Sequence, residues 1–259
     1  MRVLLLGATG NLGSRLIPAL LAHRHVVVAS VRSREKLRTL ILANLLDRIT
    51  VVEGDALDSA TVEDVLQIHD CDAIVNAAGT RIWNGEQILG RIAASVSSAA
   101  VRVGRQRGGK PLSAWFIGGM GSLEYPGTGG WHIQDYLPAW MSEHHRQTEA
   151  VMRAVPTAVL KWTLLCVALM EPRSKMVELL EQPNRMGHGL SIAARSPPAW
   201  QDSWVRTVPV IGVYLNLVPV IRSYTTKLED VADLIAGNIG HDEGGAFVGE
   251  LVGMKEIGG

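Results

Sequence analysis

The heptapeptide GATGNLG, residues 7–13, follows the apolar run RVLLL and spaces three glycines at positions 7, 10 and 13. Glycine allows a tight turn and a close approach to the backbone, and free N–H groups at a helix start attract anions. A strand, such a loop and an amphipathic segment, in that order, form a seat for a pyrophosphate, with Thr9, Asn11 and Leu12 completing the loop. About twenty residues further on, a carboxylate would receive a free ribose 2′-hydroxyl. The chain offers SVRSREKL instead. Arg32, Ser33 and Lys36 suit a 2′-phosphate through charge-assisted hydrogen bonds, which predicts NADP(H) over NAD(H). A solvated basic turn is the plainer reading of the same residues. Asp55 and Ala56, in EGDAL, are expected at a strand end beside the adenine ring. Ala77, Ala78 and Gly79, in NAAGT, are small enough for the backbone to pass the cofactor. Gly118 is a further expected cofactor contact, and the backbone of Cys166 is expected to line the nicotinamide pocket unless the residue only packs.

Other chemistries find little support. The stretch GMGSL has Leu123 where a nucleophile elbow needs glycine. The pairs His23/His25 and His144/His145 lack Cys or carboxylate neighbours at metal-ligand spacing, so no metal is expected. Cys166 reads as a packing residue. Trp131, Trp140, Trp200 and Trp204 fall in segments suited to an aromatic substrate pocket, although core packing explains tryptophans equally well.

The elements that must position these groups are legible in the apolar runs RVLLLG, HVVVASV, ITVVEGD, DAIVNAAG, SAWFIGG and TAVLKWTLL. They are continuous rather than alternating, as in strands buried on both faces of a parallel sheet, and helix-like segments separate them. The expected fold is a doubly wound α/β sheet of the Rossmann type within a single domain, 1–259. In LGSRLIPALLAHR, Leu12, Leu16, Ala19 and Leu20 share one helical face. Pro18 is expected to kink that helix or to delay its start. After about residue 170 the prolines, glycines and turn residues of EPRSKM, QPNRMGHG and RSPPAWQDSW break the pattern. Residues 171–245 are therefore expected to form a small substrate-covering lobe before a last strand, GAFVGELVG.

With 25 basic and 25 acidic residues the formal net charge is zero, so neither nucleic acid nor an anionic membrane is the expected partner. A small molecule or another protein is, and a homodimer stays open. Two cysteines far apart in apolar contexts, and no secretory signal before the strand at Arg2, suggest a cytoplasmic protein. VPVIGVYLNLVPVI (208–221) is too short to span a bilayer. It reads as a buried or subunit-covering segment in preference to a membrane-surface contact.

GATGNLG, VVEGDALD and NAAG together resemble the short-chain dehydrogenase/reductase superfamily, in its atypical branch. FIGGMGSLEYPGTG (116–129), LKWTLLCVALMEP (160–172) and YTTKLEDVADLIAGNI (224–239) are similar to NAD(P)H-binding, flavin-reductase-like proteins related to biliverdin reductase B and NmrA, fungal members in particular. The superfamily's usual catalytic tyrosine, with lysine four positions later, is missing. Gly129, Trp140, Val218 and Leu228 stand four after Tyr125, Tyr136, Tyr214 and Tyr224. With the later helix anchored on Glu149, Met141 and His145 occupy the two positions. The resemblance implies a substrate-polarising role for Ser122, and His145 is the candidate proton donor. Flavin-reductase-like relatives imply direct hydride passage to a flat conjugated acceptor, namely a flavin, a quinone or a polyketide-like aromatic. The NmrA likeness implies a rival reading, a dinucleotide sensor that acts on a protein partner. A non-redox isomerase or cyclase is the third.

Overall fold

The computed structural model describes residues 1–79, 88–174, 176–177, 183, 189–208, 212–240 and 247–257. The first half alternates strand and helix: β1 (Arg2–Leu6), α1 (Asn11–Ala22), β2 (Val26–Val31), α2 (Arg34–Leu40), α3 (Ala43–Leu46), β3 (Thr50–Glu53), α4 (Ser59–Ile68), β4 (Ala73–Asn76) and α5 (Ile88–Gln106). The alternation continues through β5 (Leu112–Gly119), α6 (Ala139–Arg153) and β6 (Leu160–Val167). Then come β7 (Met170–Glu171), β8 (Leu190–Ala194), α7 (Gly212–Arg222), β9 (Thr226–Lys227), α8 (Leu228–Asn238) and β10 (Leu251–Glu256).

Eight strands form one sheet in the order β3-β2-β1-β4-β5-β6-β10-β8, parallel except for β8 against β10. β7 and β9 pair separately. The fold is a doubly wound, Rossmann-like α/β sheet, as the continuous apolar strands predict. The cause is visible in β1, where Val3 and Leu5 enter the core on one face while Leu4 and Leu6 enter the core on the other. Both faces demand cover. α1 and α8 supply it on the first side, while α4 and α5 supply it on the second.

Two sequence expectations change. α1 starts at Asn11, directly after the glycine loop, and runs through Pro18, so the proline does not delay it. The loop itself nucleates the helix: the Gly10 N–H donates to the Gly7 carbonyl at 2.9 Å and the Ser14 N–H to the Gly10 carbonyl at 3.0 Å. The last strand begins at Leu251, later than GAFVGELVG suggests. A turn precedes it, in which the Glu250 N–H donates to the Phe247 carbonyl and Gly249 takes a left-handed φ of 78°. Beyond residue 170, β8 and β10 extend the main sheet and α8 packs across α1.

Arg15 fastens that packing. Its guanidinium is buried and donates to Glu229 Oε1 at 2.7 Å, to the Asn11 carbonyl at 3.0 Å and to the Ser174 carbonyl at 2.7 Å. Burial pushes the Glu229 carboxyl up, but the Arg173 N–H and Arg15 outweigh it and hold the group below its ordinary value of 4.5. A depressed carboxyl contributes stability above its unfolded value and loses it as pH falls through its folded value. Glu229→Gln should therefore destabilise by about 1–3 kcal/mol at neutral pH. In chemical denaturation, its deficit against wild type should shrink as the pH falls below about 4.

Candidate active site

The site is built from the C-terminal ends of β1 to β4, where the strand order reverses between β1 and β4. Crevices at such a switch point are where open α/β sheets bind ligands. The three glycines have three different reasons to be there. Gly7 takes φ 79°, and a Cβ would sit 2.5 Å from the Ala77 carbonyl carbon. A Cβ on Gly13 would lie 2.6 Å from the Gly7 carbonyl carbon and 2.9 Å from Ala8 Cα, so α1 can lie this close only with glycine there. Gly10 meets only the Gly7 oxygen, at 3.2 Å, and otherwise faces open space. No side chain caps α1 and no acidic residue stands in its first turn, so the positive end of the helix is left for an anion.

A cleft of about 170 Å³ opens here. Of the expected residues, Gly7, Thr9, Gly10, Arg32, Lys36, Asp55, Ala56, Ala77, Ala78 and Gly79 line it. Among the described residues Arg32 makes no hydrogen bond or ion pair, and the Lys36 side chain makes none either. Their neighbour Arg34 is occupied: its N–H donates to Glu53 and its guanidinium to the Val51 carbonyl. Asp55 accepts from the Leu57 N–H at 3.0 Å, which shapes the loop after β3.

Other expected residues surround the cleft without lining it. Asn11 opens α1, and its carbonyl accepts from Ser14 and Arg15. The Leu12 side chain is in the core and Gly13 is packed under the loop. The Ser33 hydroxyl accepts from the Lys36 N–H at 3.2 Å, so it caps α2.

Ser30, Val31, Gly54, Leu57, Ile88 and Ile92 also line the cleft and were not foreseen. Ser30 and Gly54 could have been read from their strand ends in HVVVASV and VVEGD, whereas Ile88 and Ile92 come from a distant helix with no local motif. Asn76 was missed as well. Buried at the end of β4, it accepts from the Ala78 N–H at 3.2 Å and so orders the NAAG loop.

At the far end, Gly118 of β5 stands opposite Cys166 of β6, and the described cleft does not extend to either. Burial pushes the Cys166 thiol far up and Glu149 adds to this; the residue lies within the strand and packs in the core. Ser122 closes a 3-10 turn, Met120–Ser122, just past β5. It is 1% exposed, and its hydroxyl has no hydrogen-bond partner among the described residues. The His145 ring on α6 lies against Gly119, where a Cβ would fall 2.6 Å from Nε2. One helical turn later Glu149 is buried and accepts from Gln134 at 3.0 Å and from Arg153 at 2.8 Å. Trp200 packs edge-on against Tyr125, whereas Trp131 and Trp204 are exposed. The side chains of Trp140, Met141 and His144 lie outside the described residues.

A backbone cradle, an uncapped helix N-terminus and two available cations fit a dinucleotide. The sequence profile of the NAD(P)H-binding family matches residues 7–196. The chain belongs to that family. No curated protein matches it by sequence. Solved structures share the NAD(P)H-binding fold. A wide-type short-chain dehydrogenase/reductase of Veillonella parvula, in complex with NADP, superposes with TM-score 0.63 at 15% identity, over 99% of this chain and 95% of that one. A Streptococcus pneumoniae TIGR4 protein, a candidate NADH-flavin reductase, gives 0.63 at 16% identity over 99% of each chain. A Burkholderia pseudomallei protein, a candidate exported protein, gives 0.61 at 23%, over 98% of this chain and 99% of that one. Among the described residues no helix is long and apolar enough to cross a membrane, and no three His, Cys, Asp or Glu side chains gather to hold a metal ion.

The glycine geometry makes a paired prediction. Gly10→Val should abolish NAD(P)H binding by calorimetry while leaving the melting curve nearly unchanged. Gly13→Ala should instead lower stability by about 1–3 kcal/mol through overpacking.

Proposed function

We propose that this protein is an NADPH-dependent oxidoreductase that passes hydride to a flat, conjugated acceptor, a flavin, a quinone or a polyketide-like aromatic. One observation carries the cofactor choice. Among the described residues, Arg32 and Lys36 stand in the cleft wall without ion-pair partners, and the only carboxylate lining that cleft is Asp55, on the loop after β3. A 2′-phosphate would neutralise both cations through charge-assisted hydrogen bonds, whereas a free ribose hydroxyl brings no charge to meet them.

The bound dihydronicotinamide would supply the hydride. The chain's part is to hold and orient. Gly10 and the N–H groups of α1 would seat the pyrophosphate, and Asp55 would face the adenine side. Gly119 would let the His145 ring close directly on the end of β5, beside the place of the reactive ring. His145, packed on Gly119, would bound that ring's position, so its contribution is to orientation more than to proton transfer. The flavin acceptor is the one in the name of the Streptococcus pneumoniae protein. A second reading, a sensor that binds dinucleotide without turnover, draws support from Ser122, whose hydroxyl is sealed from solvent and so is not placed to polarise a substrate.

Titration of both cofactors should give NADPH at least tenfold tighter binding than NADH, and Arg32→Ala should remove most of that difference, since a charge-assisted contact is worth about 1.5–3 kcal/mol. Equal affinities in wild type would overturn the cofactor assignment. Stopped-flow absorbance with flavin and quinone acceptors should show NADPH consumption, slowed less than about tenfold by His145→Ala. Tight binding with no consumption across the acceptor panel would favour the sensor.

A further inference from the structure

Arg15 is a buried cation one turn into α1. Its three nitrogens donate to three different parts of the chain: Nε to Glu229 Oε1 of α8 at 2.7 Å, Nη1 to the Asn11 carbonyl at 3.0 Å and Nη2 to the Ser174 carbonyl at 2.7 Å. Glu229 completes the grip, because its Oε2 accepts from the Arg173 N–H at 2.8 Å. The guanidinium and the carboxylate together hold a backbone donor and a backbone acceptor of two consecutive residues, 173 and 174. Beside them, Arg173 Nη2 donates to both carboxylate oxygens of Asp230, at 2.8 and 2.7 Å.

Packing alone does not call for this arrangement. An apolar side chain at position 15 would cover α8 without desolvating a charge, but it could not hold the backbone of residues 173 and 174. That stretch leaves the end of β6, where Cys166 stands opposite Gly118. It runs on through β7, whose Met170 pairs with Thr226, while the Leu169 carbonyl accepts from the Thr226 N–H at 2.9 Å. It then reaches the starts of α1 and α8. One guanidinium therefore sets the spacing between the first turn of α1 and the chain that leaves β6.

We propose that Arg15 is a positioning residue for the cofactor. By fixing residues 167–174 against α1, it makes a pyrophosphate seated at the start of α1 present its dihydronicotinamide at one place beside the ends of β5 and β6. This rests on the cofactor reading above. The planar fork suits the task, since one orientation of the group reaches acceptors on all three segments. Lysine carries the same charge on a single nitrogen, so it keeps the electrostatics of α1 and loses the span.

Arg15→Lys separates the two. Calorimetry should give it an NADPH Kd within about threefold of wild type, since the adenosine and phosphate contacts are untouched. The emission anisotropy of the bound dihydronicotinamide should fall by about half toward the value of free NADPH, because the ring is no longer held. NADPH consumption with flavin should slow about tenfold or more. His23→Ala is the control for lost helix packing: His23 Nε2 meets Asp233 Oδ1 at 2.7 Å, at the other end of the α1 contact with α8. It should lower the melting midpoint and leave the anisotropy at the wild-type value. If Arg15→Lys fails to fold, Arg173→Ala takes its place; that side chain is 61% exposed, and its loss should release the same stretch and lower the anisotropy. Wild-type anisotropy in folded Arg15→Lys, or in Arg173→Ala where it stands in, would overturn the proposal, as would an equal fall in His23→Ala. A wild type that binds no NADPH would overturn the cofactor reading and this proposal with it. A wild type that immobilises the ring without consuming NADPH would remove only the hydride-transfer reading, and a lowered anisotropy in Arg15→Lys would then still support the role of Arg15.

Discussion

The close passage of the Gly7 carbonyl beneath Gly13 constrains most of what surrounds it. With no side chain between them, α1 lies almost on the loop that precedes it, and its first turn points into the cleft with its N–H groups uncapped. The same passage fixes where the rest of α1 runs. Leu16, Ile17 and Leu20 reach the sheet, and Arg15 comes within reach of α8 and of the Ser174 carbonyl. A methyl group at Gly13 would lift the helix and disturb both the anion seat and the contacts that cover one face of the sheet.

The two ends of the site are made by different physics. At the phosphate end the work is done by backbone: a positive-φ glycine, an open glycine and a helix terminus. At the other end side chains decide the shape. Glu149 accepts from Gln134 and Arg153, which ties α6 to the segment after β5, and through α6 it fixes the His145 ring over Gly119. A buried carboxylate is tolerated only with such partners. Its function here is to keep one helix in register with one strand end.

This division explains what the sequence made legible. The glycine loop, the buried strands and the cations after β2 are local signals, because backbone strain, periodicity and charge all appear within a few neighbouring residues. Ile88 and Ile92 gave no such signal: they reach the cleft because α5 covers the sheet, and only the packed fold brings that helix beside Gly10. Asn76 was similarly hidden, since a strand-end asparagine acquires its role only when the loop beyond it turns back toward its side chain. Of the two effects Pro18 suggests, a kink or a later start, the later start is excluded, because α1 begins at Asn11. The loop's own hydrogen bonds start the helix, and a proline at its eighth position costs one bond to the Ser14 carbonyl without affecting that start.

The segments after β6 are bound to the site by one polar cluster. Asp202 accepts from the Trp200 indole at 3.0 Å, from Asn216 and from Tyr125, and is paired with Arg206, whose guanidinium lies 4.6 Å from the Tyr125 ring centre. Burial alone would raise the Asp202 carboxyl, but these donors bring it below its ordinary value, so at neutral pH it is a charged hub. The hub joins the loop that leaves β5, the stretch around Trp200 and the inner face of α7. Force on the outer face of α7 therefore passes through Asn216 to Tyr125, three residues beyond Ser122. α7 and the loop that leaves β5 are two sides of the same hydrogen-bonded unit, and neither can shift without breaking charge-assisted bonds in a part-buried setting.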